Sequence, residues 1–151
     1  MLLDARQSIG NVSLTLWKSD IADAYCLLLM SPFWQLKQVI TINRKHYIDR
    51  NLAFSSSASP GIFISFNSLV AWITKYVKLI EYILDYVNDS SGCNLQGDTL
   101  YYKPYGMHFP KHQSQLLLLW DELGILHKLH IQVNGNPLTI ISISVDAQRM
   151  T

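Results

Sequence analysis

Residues 12–25 read Val12-Ser13-Leu14-Thr15-Leu16-Trp17-Lys18-Ser19-Asp20-Ile21-Ala22-Asp23-Ala24-Tyr25. From Val12 to Trp17 apolar and polar side chains alternate, as in a half-buried strand, and the run breaks at Lys18-Ser19-Asp20. A carboxylate therefore stands at a strand's end. Further on, Tyr82 to Val87 reads as a strand, Asn88-Asp89 as a tight turn and Ser90 to Leu95 as a weaker return strand. A fold that pairs these strands brings Asp20 and the Asn88-Asp89 tip together. Carboxylates suit hard divalent cations. Nucleotidyl transfer uses two such ions roughly 3.5 to 4 Å apart, one activating the attacking hydroxyl and one holding the leaving phosphate. Taken alone the pattern is weak, because an Asp at a strand end is more often a cap or turn residue.

Outward from these strands the periodicity changes. Gln38 to Asp49 has β-branched residues flanking Asn43-Arg44, which predicts a hairpin of two short strands. From Pro60 a period near 3.6 sets Phe66, Leu69, Val70, Ile73 and Val77 on one helical face, with Pro60 suited to the first turn. Gly97 to Lys111, rich in Gly, Pro and Tyr, reads as a long loop; Leu116, Leu119, Trp120 and Leu123 then mark a helix ended by Gly124. After the Asn134 to Pro137 turn, Leu138 to Val145 reads as a closing strand. The order is α+β rather than a regular βαβ repeat.

Composition narrows the classes. The 151 residues, 49% of them hydrophobic, suit one domain with a real core and argue against disorder. A net charge of +1 is too small to draw the whole molecule to nucleic acid. Positive charge is nonetheless sorted locally: Lys37, Arg44, Lys45, His46 and Arg50 are opposed only by Asp49, which suits a face toward phosphates as well as a merely solvated hairpin. Cys26 and Cys93 lack any paired spacing, so neither a disulfide framework nor a zinc ribbon is expected. His108, His112, His127 and His130 have spacings that could chelate zinc, but no cysteine pair supports them. The amino terminus lacks a secretory pattern, and the apolar runs fall short of the roughly 18 residues of a membrane span. A soluble, intracellular protein with no membrane contact is the expectation; oligomeric state is not specified.

The local words add a resemblance. Ser19-Asp20-Ile21-Ala22-Asp23-Ala24-Tyr25 resembles the first catalytic motif of reverse transcriptases. Ser59-Pro60-Gly61-Ile62-Phe63 resembles the start of their next motif, and Tyr86-Val87-Asn88-Asp89 their Tyr-x-Asp-Asp hairpin. Leu119 to Ile125 and the Ile140 to Asp146 segment are similar to those closing the palm. The order and spacing match over residues 14–151, closest to retroelements of the fungal, tyrosine-recombinase-bearing kind. The resemblance implies a palm, an antiparallel sheet with helices on one face, plus a small fingers hairpin. It implies Asp20 and Asp89 as ligands of Mg2+ or Mn2+, and Asp23 with Ala24 along the triphosphate of a dNTP. Tyr25 becomes the gate against ribose 2′-hydroxyls, and Phe54 packs beneath the nucleotide; the partner is an RNA or DNA template-primer.

The chain departs from that pattern at the place that matters most. Asn88 stands where the hairpin's first Asp is expected, and an amide brings no charge to a cation. Ser55 and Ser142 replace glycines, and Ile131 stands where a lysine is common, with Lys128 and His130 displaced nearby. The favoured expectation is a degenerate, catalytically impaired domain. A weak polymerase completed by fingers and thumb from another chain is the second reading, and a non-catalytic nucleic-acid-binding module using the Lys37 to Arg50 cluster the third.

Overall fold

The computed structural model describes residues 2–53 and 57–149, so Phe54 and Ser55 lie outside the described residues. Strand β1 (Leu14–Asp20) is the spine. It pairs antiparallel along its whole length with β5 (Asp89–Leu95) and, on its other edge, with β8 (Val133–Gly135). Strand β4 (Ile83–Tyr86) completes a four-stranded sheet of order β4-β5-β1-β8.

Side-chain alternation along β1 assigns the two faces. Trp17 points into a cluster with Phe63 and Val70 of helix α3 (Ser59–Tyr76) and Leu116, Leu117 and Trp120 of helix α4 (Lys111–Leu123). Leu14 and Leu16 point the other way, into a smaller cluster with Cys93, Ala147 and Ala5 of helix α1 (Leu2–Ile9). Lys18 and Asp20 continue that second face beyond the reach of α1. The two long helices thus share one face, and the acidic strand ends lie on the other.

Several elements differ from the sequence reading. The Gly97 to Lys111 stretch is a hairpin, β6 (Thr99–Tyr102) with β7 (Met107–Pro110), rather than a loop. Leu138 to Val145 is split into β9 (Leu138–Ile140) and β10 (Ile143–Val145) by Ile141 and Ser142, both at positive φ. Left-handed backbone costs a non-glycine residue free energy, so Ser142 occupies a conformation that suits the expected glycine better. The buried stripe of α3 is Ser59, Phe63, Asn67, Val70 and Thr74; Leu69 and Val77, expected inside, are each 58% exposed. This helix is apolar nearly all round, so period alone cannot choose its face. The Ser59 hydroxyl donating to Ala53 O and the Phe63 ring against Tyr25 choose it instead.

The basic cluster lies on a separate hairpin, β2 (Val39–Ile42) with β3 (Lys45–Ile48), every residue of which is exposed. The short helix α2 (Pro32–Gln35) precedes it, with Lys37 Nζ 4.2 Å from the Trp34 ring centre and 5.1 Å from that of Phe33. No helix among the described residues is long and apolar enough to cross a membrane.

Candidate active site

The β4–β5 hairpin turns on Val87 and Asn88, because Tyr86 already pairs with Asp89. Asp89 is therefore a strand residue and not part of the turn, one position away from the sequence reading. A two-residue loop with positive φ only at its first position favours glycine there. Here that position is Val87, at φ 54, a β-branched residue in a conformation that strains it.

This register sets Asp20 directly opposite Asp89. Ile21 N donates to Asn88 O, so the flanking pair carries the ladder bonds and the two aspartates form the closer, non-hydrogen-bonded kind of pair. Like charges directly opposite destabilise a sheet. Two neighbours offset the repulsion: the Asn88 side-chain amide donates to Asp20 Oδ1, and Lys18 Nζ stands 3.1 Å from Asp89 Oδ2. Burial, and then the Asp89 charge, push the Asp20 carboxyl above its ordinary range, while the Asn88 hydrogen bond and the Lys18 charge pull it back.

A cleft of about 410 Å³ opens at this end of β1. Asp20, Asp23, Ala24, Tyr25 and Asn88 line it together; Asp89 does not, its carboxylate being turned to Lys18. Asp23 sits at φ 52 ahead of a 3-10 turn over Ala24–Leu27, and the Tyr25 ring lies 5.1 Å from that of Phe63, centre to centre. Lys128, His130 and Ile131 form the opposite rim. That rim is tied down by Ala22 N donating to Leu126 O at 2.8 Å and by Gln132 Nε2 donating to Asp20 O at 3.1 Å. Lys128 Nζ reaches Asp23 Oδ2 at 3.0 Å, both side chains being half-exposed, so the pair contributes little stability.

The sequence reading passed over two of these supports. Lys18 counted only as a strand-end residue, although its spacing of two from Asp20 puts both on one face. Gln113 carries no signal in the helical pattern of Leu116, Leu119, Trp120 and Leu123; it is fully buried, and its amide donates to Lys18 O and Ser19 Oγ, bracing β1 against α4. Of the histidines weighed for zinc, His127 is held between the Tyr105 hydroxyl, 2.6 Å from Nδ1, and Asp121 Oδ1, 3.1 Å from Nε2. No three His, Cys, Asp or Glu side chains among the described residues converge as a metal group.

Three solved structures of the foamy viral protease-reverse transcriptase are similar to this one. Against the one in complex with dsDNA the TM-score is 0.68 at 15% identity, over 87% of this chain and 25% of that one. The one bound to an RNA/DNA hybrid gives 0.68 at 16% identity, over 88% and 16%. A third, also with double-stranded DNA, gives 0.65 at 15% identity, over 99% and 24%. The fold is reverse-transcriptase-like. At such identity the likeness is one of fold alone, and this chain spans a quarter or less of those proteins. No protein-family model matches the chain, and no curated protein matches it in sequence.

Within this reverse-transcriptase-like sheet the raised Asp20 carboxyl has a consequence for stability. An acid whose folded pKa exceeds its unfolded value destabilises the fold once ionised. The penalty is fully present above the folded pKa and gone below the unfolded one, near 3.8. Asp20→Asn is therefore expected to melt higher than the parent at pH 7. The gap should close as pH falls through the Asp20 titration, and thermal melts from pH 7 to 3.5 measure it. A parent chain that is the more stable at pH 7 would show that Asp20 is stabilised, not strained, by its neighbours.

Proposed function

We propose that this chain is the palm-and-fingers part of a retroelement-derived reverse-transcriptase-like domain, one that holds nucleic acid but whose two-metal nucleotidyl transfer is disabled at Asn88. One observation carries the reading: the Asn88 amide donates to the Asp20 carboxylate that the family resemblance makes a metal ligand. A two-ion clamp requires carboxylate oxygens free to face both cations. Here one Asp20 oxygen faces an amide N–H, one Asp89 oxygen faces the Lys18 ammonium, and a unit of negative charge is missing. This donor set does not fit a pair of Mg2+ or Mn2+ ions. Asp23, Ala24 and Tyr25 still line the cleft where the resemblance expects a dNTP, and degeneration of an element copy accounts for a retained fold with an altered site.

The non-catalytic reading, a nucleic-acid-binding module, has its own support. The exposed β2–β3 hairpin carries Arg44, Lys45 and His46, beside Trp34 and Phe33 under Lys37. Cationic side chains interleaved with aromatic faces suit single strands.

The test is a template-primer titration followed by primer extension with Mg2+ and with Mn2+. Binding that weakens steeply with salt, and no extension above a heat-denatured control, is the expected pair of results. Rapid extension would overturn the impairment at Asn88. No binding to template-primer or single strand at low salt would overturn both readings.

A further inference from the structure

Behind the Val87–Asn88 turn, on the helix side of the sheet, a groove of about 350 Å³ runs between α3 and β4. Asn88 faces the Asp20 cleft and Val87 lines this second space, so the hairpin separates the two. At about 30 Å³ per water the groove has room for a bicyclic ring. Its walls are apolar at Ile64, Ala71, Ile83 and Val87.

The polar groups are the unusual part. Asn67 belongs to the buried stripe of α3, is 7% exposed and lines the groove. Its amide has no hydrogen-bond partner among the described residues, whereas Ser65, Ser68 and Thr74 of the same helix each donate to a backbone carbonyl. The donors and acceptor of the Asn67 amide are thus left to the solvent of the groove, where a ligand can take them. Across the groove, β4 is the edge strand of its sheet. The two-residue turn makes Tyr86–Asp89 a hydrogen-bonded pair, and two positions on Leu84–Ser91 is another. The backbone N–H and C=O of Asp85 therefore point away from β5, toward the open edge. The Asp85 side chain is occupied, accepting from Ser90 Oγ at 2.6 Å.

We infer that this groove is a binding site for an adenine base, held between the Asn67 amide and the free backbone edge at Asp85. Asn recognises adenine through a bidentate pair, its oxygen accepting from N6–H and its nitrogen donating to N7. The second N6 hydrogen then donates to Asp85 O, and N1 accepts from Asp85 N–H. N1, N6 and N7 of the base each find a partner, and the Asn67 amide and the Asp85 backbone edge exchange solvent for those bonds. Guanine fails in this frame, because O6 replaces the N6 donor that Asn67 Oδ1 and Asp85 O both need. The adenine can belong to a free nucleoside or to a single strand.

The experiment is an NMR titration of the 15N-labelled chain in EDTA, reading the Asn67 side-chain amide and the Asp85 backbone amide. Working without metal keeps the result separate from the polymerase reading, since a chain with no chemistry at Asp20 still gives it. Adenosine should shift both signals saturably, 7-deazaadenosine should bind about tenfold more weakly for want of N7, and guanosine should leave them in place. An oligonucleotide of twelve deoxyadenosines runs beside adenosine: movement with the oligonucleotide alone assigns the base to a strand, and movement with adenosine shows that the nucleoside suffices. Asn67→Leu should lose about tenfold in affinity while melting no lower than the parent. Asn67→Asp, which keeps only the acceptor, should bind adenosine and 7-deazaadenosine alike. The inference is overturned if neither adenosine nor the oligonucleotide moves the two amides, if guanosine moves them equally, or if Asn67→Leu binds adenosine as tightly as the parent.

Discussion

Gly92→Ala is expected to destabilise the fold by roughly 3 kcal/mol or more, enough to unfold a marginal domain. Gly92 lies in the middle of β5, paired with Trp17 on one side and Ile83 on the other. A Cβ there would overlap Cζ2 of the Trp17 ring, fall 2.6 Å from its Cε2 and come within 2.5 Å of the Tyr82 carbonyl oxygen. Trp17 is fully buried in the main cluster and cannot swing aside, and the Tyr82 oxygen is backbone. Both obstacles are therefore hard. Gly61→Ala provides the control, because nothing lies within 4 Å of its added Cβ and a helical alanine gains about 0.5 to 1 kcal/mol over glycine. Urea unfolding of the two variants measures the contrast. A Gly92→Ala chain within about 0.5 kcal/mol of the parent would mean that Trp17 does not pack across β5 as described.

Gly92 also shows which parts of this molecule can be read from sequence. The alternation in Val12 to Trp17 and the strand runs Tyr82 to Val87 and Ser90 to Leu95 are local signals, and they yield β1, β4 and β5 without tertiary knowledge. The motif order over Asp20, Tyr25, Pro60 and Asn88 then carries the fold class, and the solved structures agree with it. What local pattern could not supply was facing. Nothing in the residues around α3 says that Asn67 turns inward and Leu69 outward, because that choice is made by Tyr25 and Ala53, distant in sequence. Gln113 was hidden for the same reason: its burial follows from the β1 carbonyl above it. The β6–β7 hairpin was hidden by its glycine and proline, which mimic a loop when the pairing partner is unknown. At the cleft, residue identities announced a carboxylate pair, yet only the register shows Asp89 in a strand and answered by Lys18.

Asn88→Asp is expected to raise Mg2+ affinity at least tenfold and to lower the stability of the metal-free chain. The amide now donates to Asp20 Oδ1, so the parent satisfies that oxygen without a cation. A carboxylate in its place removes the donor and sets a third negative charge beside Asp20 and Asp89, with Lys18 already paired to Asp89. Two like charges about 4 Å apart repel by about 4 kcal/mol at an effective dielectric of 20, and partial exposure of the pair should leave about 1 to 2 kcal/mol of net loss. The Asp20 carboxyl would be pushed further up, so the variant's deficit should shrink on acidification. The same repulsion is what a divalent ion relieves. If the variant binds Mg2+ with a dissociation constant of about 1 mM, 10 mM ion stabilises it by about 1.4 kcal/mol. Even half of the 4 kcal/mol pair term, doubled by the ion's two charges in a transition state, corresponds to on the order of a thousandfold in rate, so any primer extension should improve with the metal site. The decisive measurement is a thermal melt of parent and variant across a magnesium titration. The variant should start lower and climb while the parent stays flat. A general folding defect would lower the variant at every concentration, and a variant that gains nothing from magnesium would remove Asp20 and its neighbours from consideration as a metal site.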